Sequence, residues 1–245
     1  QDLLGWAPGA SRADVSAMAS VALVMENAQN EDLMVAEPLS GCTFPASIVV
    51  GDVAGGGPGA NRTLTLLATG LRAARIAFID IQVYALGVYA DVRDLPPALL
   101  EASGDGGAAE HAAALSALRD CSCDKVFCLS FIRGVTGKQL GEGLRGSLAA
   151  AGVPPDAIAE VARQIPGSLC AGAQVRFVAR HAVDTLEADF SDGPRAAVRG
   201  AGLCAGIQAT YLGGQAVVQG VGPSLFRRLP ELRALAARPC LGGAG

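Results

Sequence analysis

Two polar side chains lie in an otherwise apolar stretch of the sequence, and their types suggest that they bind an anion. Residues 64 to 92 are rich in leucine, isoleucine, alanine and valine, and they include Arg72 and Tyr84. An arginine keeps its charge in proteins, so a buried guanidinium requires an anion, and its planar fork matches a carboxylate through two parallel hydrogen bonds. A tyrosine hydroxyl beside it could donate a third. The pair therefore indicates a carboxylate-binding site.

The same two residues also admit a purely structural interpretation. Arg72 could extend its charged head to solvent or pair with an internal Asp or Glu, while Tyr84 could be an ordinary core residue. Spacing alone does not distinguish these interpretations.

The cysteines are a second candidate for chemistry. Cys121 and Cys123 lie close to Cys128, which suggests a metal or redox cluster, but no CxxC is present and His111 and His181 are distant in sequence. We interpret the cysteines as small buried thiols of a protein from a reducing compartment, and we expect no metal or cofactor. The seven are Cys42, Cys121, Cys123, Cys128, Cys170, Cys204 and Cys240.

Two adjoining antiparallel strands are predicted to position Arg72 and Tyr84. From Ile79 to Val83 apolar and polar residues alternate, which is the period of a half-buried strand. Gly70 and Gly87 would weaken a helix and suit a bend or bulge. We therefore place Arg72 in the first strand and Tyr84 in the second, with the turn between residues 75 and 80.

The rest of the chain predicts an α+β domain, with helices on one face of an antiparallel sheet. Strands occur early and midway, helices lie between and after them, and no βαβ rhythm is present. A capping box at Thr136 and Gln139 starts one helix. The other predicted elements are a short helix that begins at 96–97, a helix that begins at 154–155 and ends near 165, helices 108–118, 203–210 and 223–237, and strands 125–132, 174–180 and 185–190.

Composition excludes several functional classes. With 245 residues, 51% hydrophobic and only 17% charged, the chain can form one substantial apolar core. A net charge of −4 without a basic run argues against a nucleic-acid partner. No apolar run reaches the ~18 residues of a membrane span. The glycines at 55–57 do not connect a strand to a helix, so no nucleotide-binding loop is indicated.

We divide the chain into an N-terminal extension, residues 1–36, and one domain, residues 37–240. Residues 13–36 have a helical pattern. The chain begins at Gln1 rather than methionine, which is consistent with removal of a targeting segment.

Several collinear segments resemble the chalcone isomerase superfamily, and most of all its plastid fatty-acid-binding branch. The run GLRAARIAFIDIQVYALGVYAD, residues 70–91, is similar to the central strands of that family. Together the segments cover roughly residues 37–235. The others are EPLSGCTFP at 37–45, FIRGVTGKQLGEGL at 131–144, ATYLGGQAV at 209–217 and GPSLFRRLPEL at 222–232.

The resemblance implies a more definite fold and a ligand. It implies an open-faced β-sandwich whose large antiparallel sheet is covered by helices, with a ligand cleft between sheet and helices. It further implies a long-chain fatty acid as ligand, held by its carboxylate on Arg72 and Tyr84, and a location in the chloroplast stroma.

The family's catalytic positions are only partly present. Arg72 matches the strand arginine and Thr210 the late threonine, whereas Tyr84 stands where the isomerases have a threonine, as it does in the fatty-acid-binding branch. The helix tyrosine and asparagine fall near Leu140 and Ser147. Cyclisation of a chalcone requires preorganised hydroxyl donors, and loss of one can raise the barrier by ~2.7 to 4 kcal/mol.

We therefore expect a non-catalytic fatty-acid-binding protein whose ligand contacts Arg72, Tyr84, Thr210, Leu140 and Ser147. The alternatives are a chalcone isomerase, which is an intramolecular lyase, and a ligand-free accessory protein of flavonoid synthesis. The sequence leaves the oligomeric state open.

Overall fold

A computed structural model describes residues 33–51, 61–76, 78–102, 107–191, 195–214 and 216–238. The strands are β1 (Met34–Ala36), β2 (Thr43–Pro45), β3 (Ser47–Val50), β4 (Arg62–Ile76), β5 (Ile79–Ala90), β6 (Lys125–Phe131), β7 (Val135–Thr136), β8 (Ser168–Leu169), β9 (Gln174–Arg180), β10 (Thr185–Phe190) and β11 (Ala196–Arg199). The helices are α1 (Pro97–Glu101), α2 (Ala108–Asp120), α3 (Gly137–Ala150), α4 (Pro155–Gln164), α5 (Leu203–Leu212) and α6 (Val221–Ala236).

Seven strands form one antiparallel sheet in the order β11-β10-β9-β6-β5-β4-β3. Its longest pair, β4 and β5, is the hairpin predicted around Arg72 and Tyr84, and its turn lies between residues 76 and 79. The predicted α+β fold with a large antiparallel sheet is confirmed.

The two faces of the sheet are covered differently. Helices α5 and α6 pack on one face, against β9 and β4 respectively, and α3 packs on α5. This face carries the main core, which includes Leu67, Ala68, Leu86 and Phe127. The other face is covered by the segment that contains β1 and β2. Its smaller core comprises Phe44, Ile48, Val50, Leu64, Leu66, Ala85, Tyr89, Val126 and Val178.

Two β-bulges change which residues of the hairpin face the helices. Arg72 is paired with Tyr84 and Ala73 with Gln82, so Val83 is the extra residue of the second bulge. A bulge places two residues of one strand opposite one residue of the other and interrupts the alternation of faces. As a result, Val83 and Tyr84 both line the space under the helices.

The terminal and edge segments depart from the sequence prediction. The helix predicted over residues 13–36 is wrong at its end, where Met34–Ala36 is a strand paired with Thr43–Pro45; the rest of that helix lies outside the described residues. The edge strands β3 and β11 were not predicted. The division at residue 36 remains a prediction. Within the described ranges, no helix is both long and apolar enough to cross a membrane.

Candidate functional site

A cavity of about 280 Å³ lies between the sheet and the helices, and all five residues predicted to contact a ligand line it. Strands β4, β5 and β6 form its floor, and α3, α5 and the segment after α5 form its walls. The predicted residues are Arg72, Tyr84, Leu140, Ser147 and Thr210. Their proximity is a structural finding, and their contact with a ligand remains a prediction.

Arg72 supplies a half-buried positive charge inside the cavity, and a second arginine, Arg133, lies at its exposed mouth. Its Nη1 donates to the carbonyl oxygen of Val217 at 3.0 Å. That segment is held against β4 by two hydrogen bonds of 2.9 Å between Leu71 and Gln219. Among the described residues, no carboxylate lies within ion-pair distance of the guanidinium. The backbone therefore orients the guanidinium, and no carboxylate in the described part of the chain neutralises its charge.

Tyr84 lies directly opposite Arg72 in the register of the hairpin. Directly opposed residues of an antiparallel pair project on the same face of the sheet. The Tyr84 ring packs on Phe131, with centroids 5.4 Å apart. Burial raises the pKa of Tyr84 to about 12, although the nearby Arg72 guanidinium opposes that rise. The hydroxyl therefore stays protonated at neutral pH and is able to donate a hydrogen bond.

Tyr211 is a third polar residue of the cavity, and the sequence analysis did not identify it. Its ring is fully buried and packs on Phe127 at 5.2 Å. Its hydroxyl has no hydrogen-bond partner among the described residues. Burial raises its pKa, and the neighbouring Tyr84 raises it further. The sequence signal is its position next to Thr210, one residue further along the same helix.

Thr210 and Ser147 line the cavity with their hydroxyl donors already used inside their own helices. Thr210 Oγ1 donates to the Gly206 carbonyl oxygen at 2.9 Å, and Ser147 Oγ donates to the Gly143 carbonyl oxygen at 3.2 Å. A hydroxyl has one proton to donate, so each can only accept from a ligand in this arrangement.

Helix α3 contributes the apolar wall, and its start is fixed by two features. The Thr136 side chain accepts from the Gln139 amide at 3.2 Å, and the Gln139 side chain accepts from the Thr136 amide at 2.8 Å, so the predicted capping box is confirmed. The Gly137 amide also donates to the Gly167 carbonyl oxygen at 2.8 Å. These bonds set the position of Leu140 and Leu144, which are buried beside the cavity.

The residues at one end of the cavity are buried, and those at its mouth are exposed to solvent. Tyr84, Thr210 and Tyr211 are buried, whereas Arg133 and Gln139 are exposed. The polar donors are therefore shielded from bulk solvent, which strengthens any hydrogen bond that they make to an anion.

The six cysteines that the structure describes do not line this cavity. The described parts of the chain contain no group of three or more Cys, His, Asp or Glu side chains placed to hold a metal ion. Cys121 and Cys123 are nevertheless in contact, which the sequence analysis did not predict.

Comparison with known proteins identifies the fold. No family model and no curated protein matches the sequence. The structure is similar to that of a fatty-acid binding protein of Arabidopsis thaliana, with a TM-score of 0.62, 20% sequence identity, and coverage of 84% of this chain and 100% of the other. At this identity the similarity establishes the fold alone. The open-faced β-sandwich implied by the sequence resemblance is confirmed.

Proposed function

We propose that the protein binds a long-chain fatty acid without transforming it, with the carboxylate on Arg72 and Tyr84 and the alkyl chain against α3. The observation that carries this proposal is the Arg72 guanidinium, which is oriented by a backbone hydrogen bond, lines an apolar cavity and has no carboxylate partner among the described residues. A ligand carboxylate supplies the missing charge through two parallel hydrogen bonds.

The hydroxyls of the cavity support the same ligand. Tyr84 is protonated at neutral pH, and its register position places it beside Arg72. The buried Tyr211 hydroxyl has no hydrogen-bond partner within the described ranges, and a carboxylate or another ligand oxygen would satisfy it. A buried donor left unpaired costs about 1–3 kcal/mol, so pairing it favours the ligand-bound state.

The apolar wall supports a hydrocarbon tail. Phe131, Leu140 and Leu144 line the cavity and are almost fully buried. Each CH₂ transferred from water to such surroundings contributes about 0.8 kcal/mol. The structural similarity to a fatty-acid binding protein agrees with this ligand class.

Chalcone cyclisation is the second candidate function, and the buried hydroxyl of Tyr211 is the feature that favours it. Leu140 cannot donate a hydrogen bond, and Ser147 donates to its own helix. The buried Tyr211 hydroxyl nevertheless gives the cavity a donor able to stabilise a developing enolate. We rank cyclisation second because Tyr211 supplies one donor, where the resemblance implies a tyrosine and an asparagine on α3.

Mass spectrometry of the hydrophobic ligand that co-purifies with the native protein tests the proposal. We expect a free fatty acid in the wild-type protein and much less in Arg72→Met purified in parallel. A flavonoid in the wild-type protein, with stereoselective flavanone formation from chalcone, would instead establish the isomerase. Absence of any bound lipid, with no acid binding in calorimetry, would overturn the proposal in favour of an accessory protein.

A further inference from the structure

Cys121 and Cys123 form a pair of thiols at the junction between α2 and β6. Their Sγ atoms are 2.7 Å apart. A disulfide bond is about 2.05 Å long, so the sulfurs need to approach by only roughly 0.6–0.7 Å to form one. Cys121 is half-buried and Cys123 is buried. Cys121 is therefore the more exposed member of the pair, and we assign it the first contact with a reagent.

A buried ammonium group lies beside this pair. The Lys125 side chain is fully buried, and its Nζ donates to the carbonyl oxygens of Cys121 at 2.8 Å and Cys123 at 3.2 Å. Its third partner is Gln208 Oε1 at 3.1 Å. All three acceptors are neutral, and no carboxylate among the described residues lies within ion-pair distance of Nζ. A thiolate at Cys121 would place an anion near this buried cation.

The pair differs from the other buried thiols. The hydrogen bond from Cys123 and the nearby Lys125 hold the pKa of Cys121 below its ordinary value. The same hydrogen bond raises the pKa of Cys123. Burial raises the pKa of Cys128 to about 11 and that of Cys204 to about 12. The arrangement thus combines a nucleophilic sulfur with a second thiol in contact with it, which can resolve a mixed disulfide once it loses its proton.

The nearest carboxylates are engaged elsewhere. Asp120 accepts from Arg119 at 2.8 Å, and Asp124 accepts from the His181 amide at 2.9 Å. Their charges oppose a thiolate at Cys121, but each is partly neutralised by its own partners. The direct contact between the two sulfurs and the buried Lys125 beside them distinguish this pair from the other described cysteines.

We propose that Cys121 and Cys123 form a thiol–disulfide exchange site that reacts with low-molecular-weight disulfides. The Cys121 thiolate attacks one sulfur of the reagent, its S–S bond breaks, and one thiol leaves with a proton. The Cys123 thiol then loses its proton and attacks Cys121 Sγ, which releases the second thiol. The protein dithiol is oxidised to an internal disulfide, and the reagent disulfide is reduced to two thiols.

Glutathione disulfide and the reduced native protein provide the test. After incubation, acid quenching and alkylation of the remaining thiols, trypsin cleavage at Arg119 and Lys125 releases residues 120–125, which contain both cysteines of the pair and no other cysteine. We expect this peptide to be recovered without alkyl groups and lighter by two hydrogen atoms. Cys170, an exposed thiol, is the internal control and should remain mostly alkylated.

Single variants distinguish the attacking sulfur from the resolving one. In Cys123→Ser, a glutathione adduct should accumulate on Cys121, because no second thiol displaces it. In Cys121→Ser, the buried Cys123 should remain reduced. Cys170→Ser should leave oxidation of the pair unchanged.

Alkylation rates provide a readout that requires no variant. Because the pKa of Cys121 is lowered, a larger fraction of this thiol is thiolate at pH 6, which outweighs its smaller loss of intrinsic nucleophilicity. We therefore expect Cys121 to react with iodoacetamide about tenfold faster than the exposed Cys170 at pH 6.

Two results would overturn the proposal. One is recovery of the 120–125 peptide with both cysteines alkylated while Cys170 carries glutathione. The other is oxidation of the pair only in protein unfolded by urea. Because both are measured on the wild-type chain, a variant that fails to fold leaves the test intact.

Discussion

Arg72 and Tyr84 face each other across the central hairpin, at the last regular pair before the bulge that places Val83 beside Tyr84. This single register position places a cation and a protonated hydroxyl on the same face of the sheet, under the helices. The proposed function depends on that arrangement.

Affinity for carboxylic acids should depend on chain length. The cavity has a finite volume of about 280 Å³, so the gain per added methylene should end once the tail fills it. Calorimetric titration with acids from about six to about sixteen carbons should show affinity rising by up to about 0.8 kcal/mol per CH₂ until the cavity is full. Affinity independent of length over this series would contradict an apolar tail site.

The three tyrosines should respond differently to removal of their hydroxyls. Tyr84→Phe should weaken acid binding by about 1.5–3 kcal/mol, because it removes a donor to a charged carboxylate. Tyr211→Phe should also weaken binding but should not destabilise the ligand-free protein, since its hydroxyl has no described partner. Calorimetry and urea unfolding measure the two effects.

Tyr89→Phe is the matched control for these variants. Its hydroxyl donates to the Pro45 carbonyl oxygen at 3.0 Å, on the face of the sheet opposite the cavity. We expect a stability loss of about 0.5–1.5 kcal/mol without a change in affinity. If all three variants bind acids equally well, the hydroxyls do not contact the ligand.

Alkaline pH should destabilise the fold through the tyrosines, all three of which are buried. Burial raises the folded-state pKa of Tyr84 to about 12 and also raises those of Tyr89 and Tyr211. Below an unfolded-state pKa of about 10 both states are protonated and the stabilisation is complete. Above that pH the unfolded state loses protons first, so the free energy of unfolding falls as pH rises towards 12.

Tyrosinate absorbance and urea unfolding measure this effect together. We expect tyrosinate to appear in the same transition as unfolding and not before. Reversible ionisation of a tyrosine near pH 10 in the folded protein would show that at least one ring is exposed to solvent.

Substitution by alanine should have opposite effects on stability at two glycines of α3, Gly137 and Gly146. A Cβ on Gly137 would overlap the Pro166 carbonyl oxygen, whereas a Cβ on the exposed Gly146 meets nothing within 4 Å. Gly137→Ala should therefore lower the free energy of unfolding by about 1–3 kcal/mol and weaken acid binding by moving Leu140. Gly146→Ala should raise stability by about 0.5–1 kcal/mol. Equal stability of the two variants in urea unfolding would show that the Pro166 contact does not fix α3.

The sequence predicted the elements whose patterns are local. The strand at Ile79–Val83, the capping box at Thr136 and the paired strands around residue 181 all depend on neighbouring residues, and the structure contains each of them. The burial alternation predicted within Ile79–Val83 is wrong, because Ile79 is exposed. The strand order was not predictable from these patterns. The edge strands β3 and β11 were missed because each has only four residues.

The cavity was predictable in part. Arg72 and Tyr84 were identifiable from the sequence because polar side chains are rare in such an apolar stretch. The family resemblance added Thr210, Leu140 and Ser147 to the predicted site. The bulge at Val83 and the unpaired hydroxyl of Tyr211 depend on contacts between distant segments, so no local pattern indicated them. The contact between Cys121 and Cys123 depends on the conformation of the turn that joins α2 to β6.

Titration of Arg72→Met with a fatty acid and with the fatty alcohol of the same length tests the central claim most directly. Methionine keeps much of the apolar stem and removes the charge. The loss of the hydrogen bond to Val217 should change the stability of the ligand-free protein by no more than about 1.5 kcal/mol. Arg75→Met, an exposed arginine of the same strand, is the matched control and should bind both ligands as the wild type does.

The account predicts that Arg72→Met binds the acid more weakly by about 2–5 kcal/mol, because the carboxylate is left unpaired in the cavity. The alcohol carries no charge, so its affinity should change far less. Equal weakening of acid and alcohol, or undiminished binding of the acid, would contradict the assignment of Arg72 as the carboxylate-binding residue.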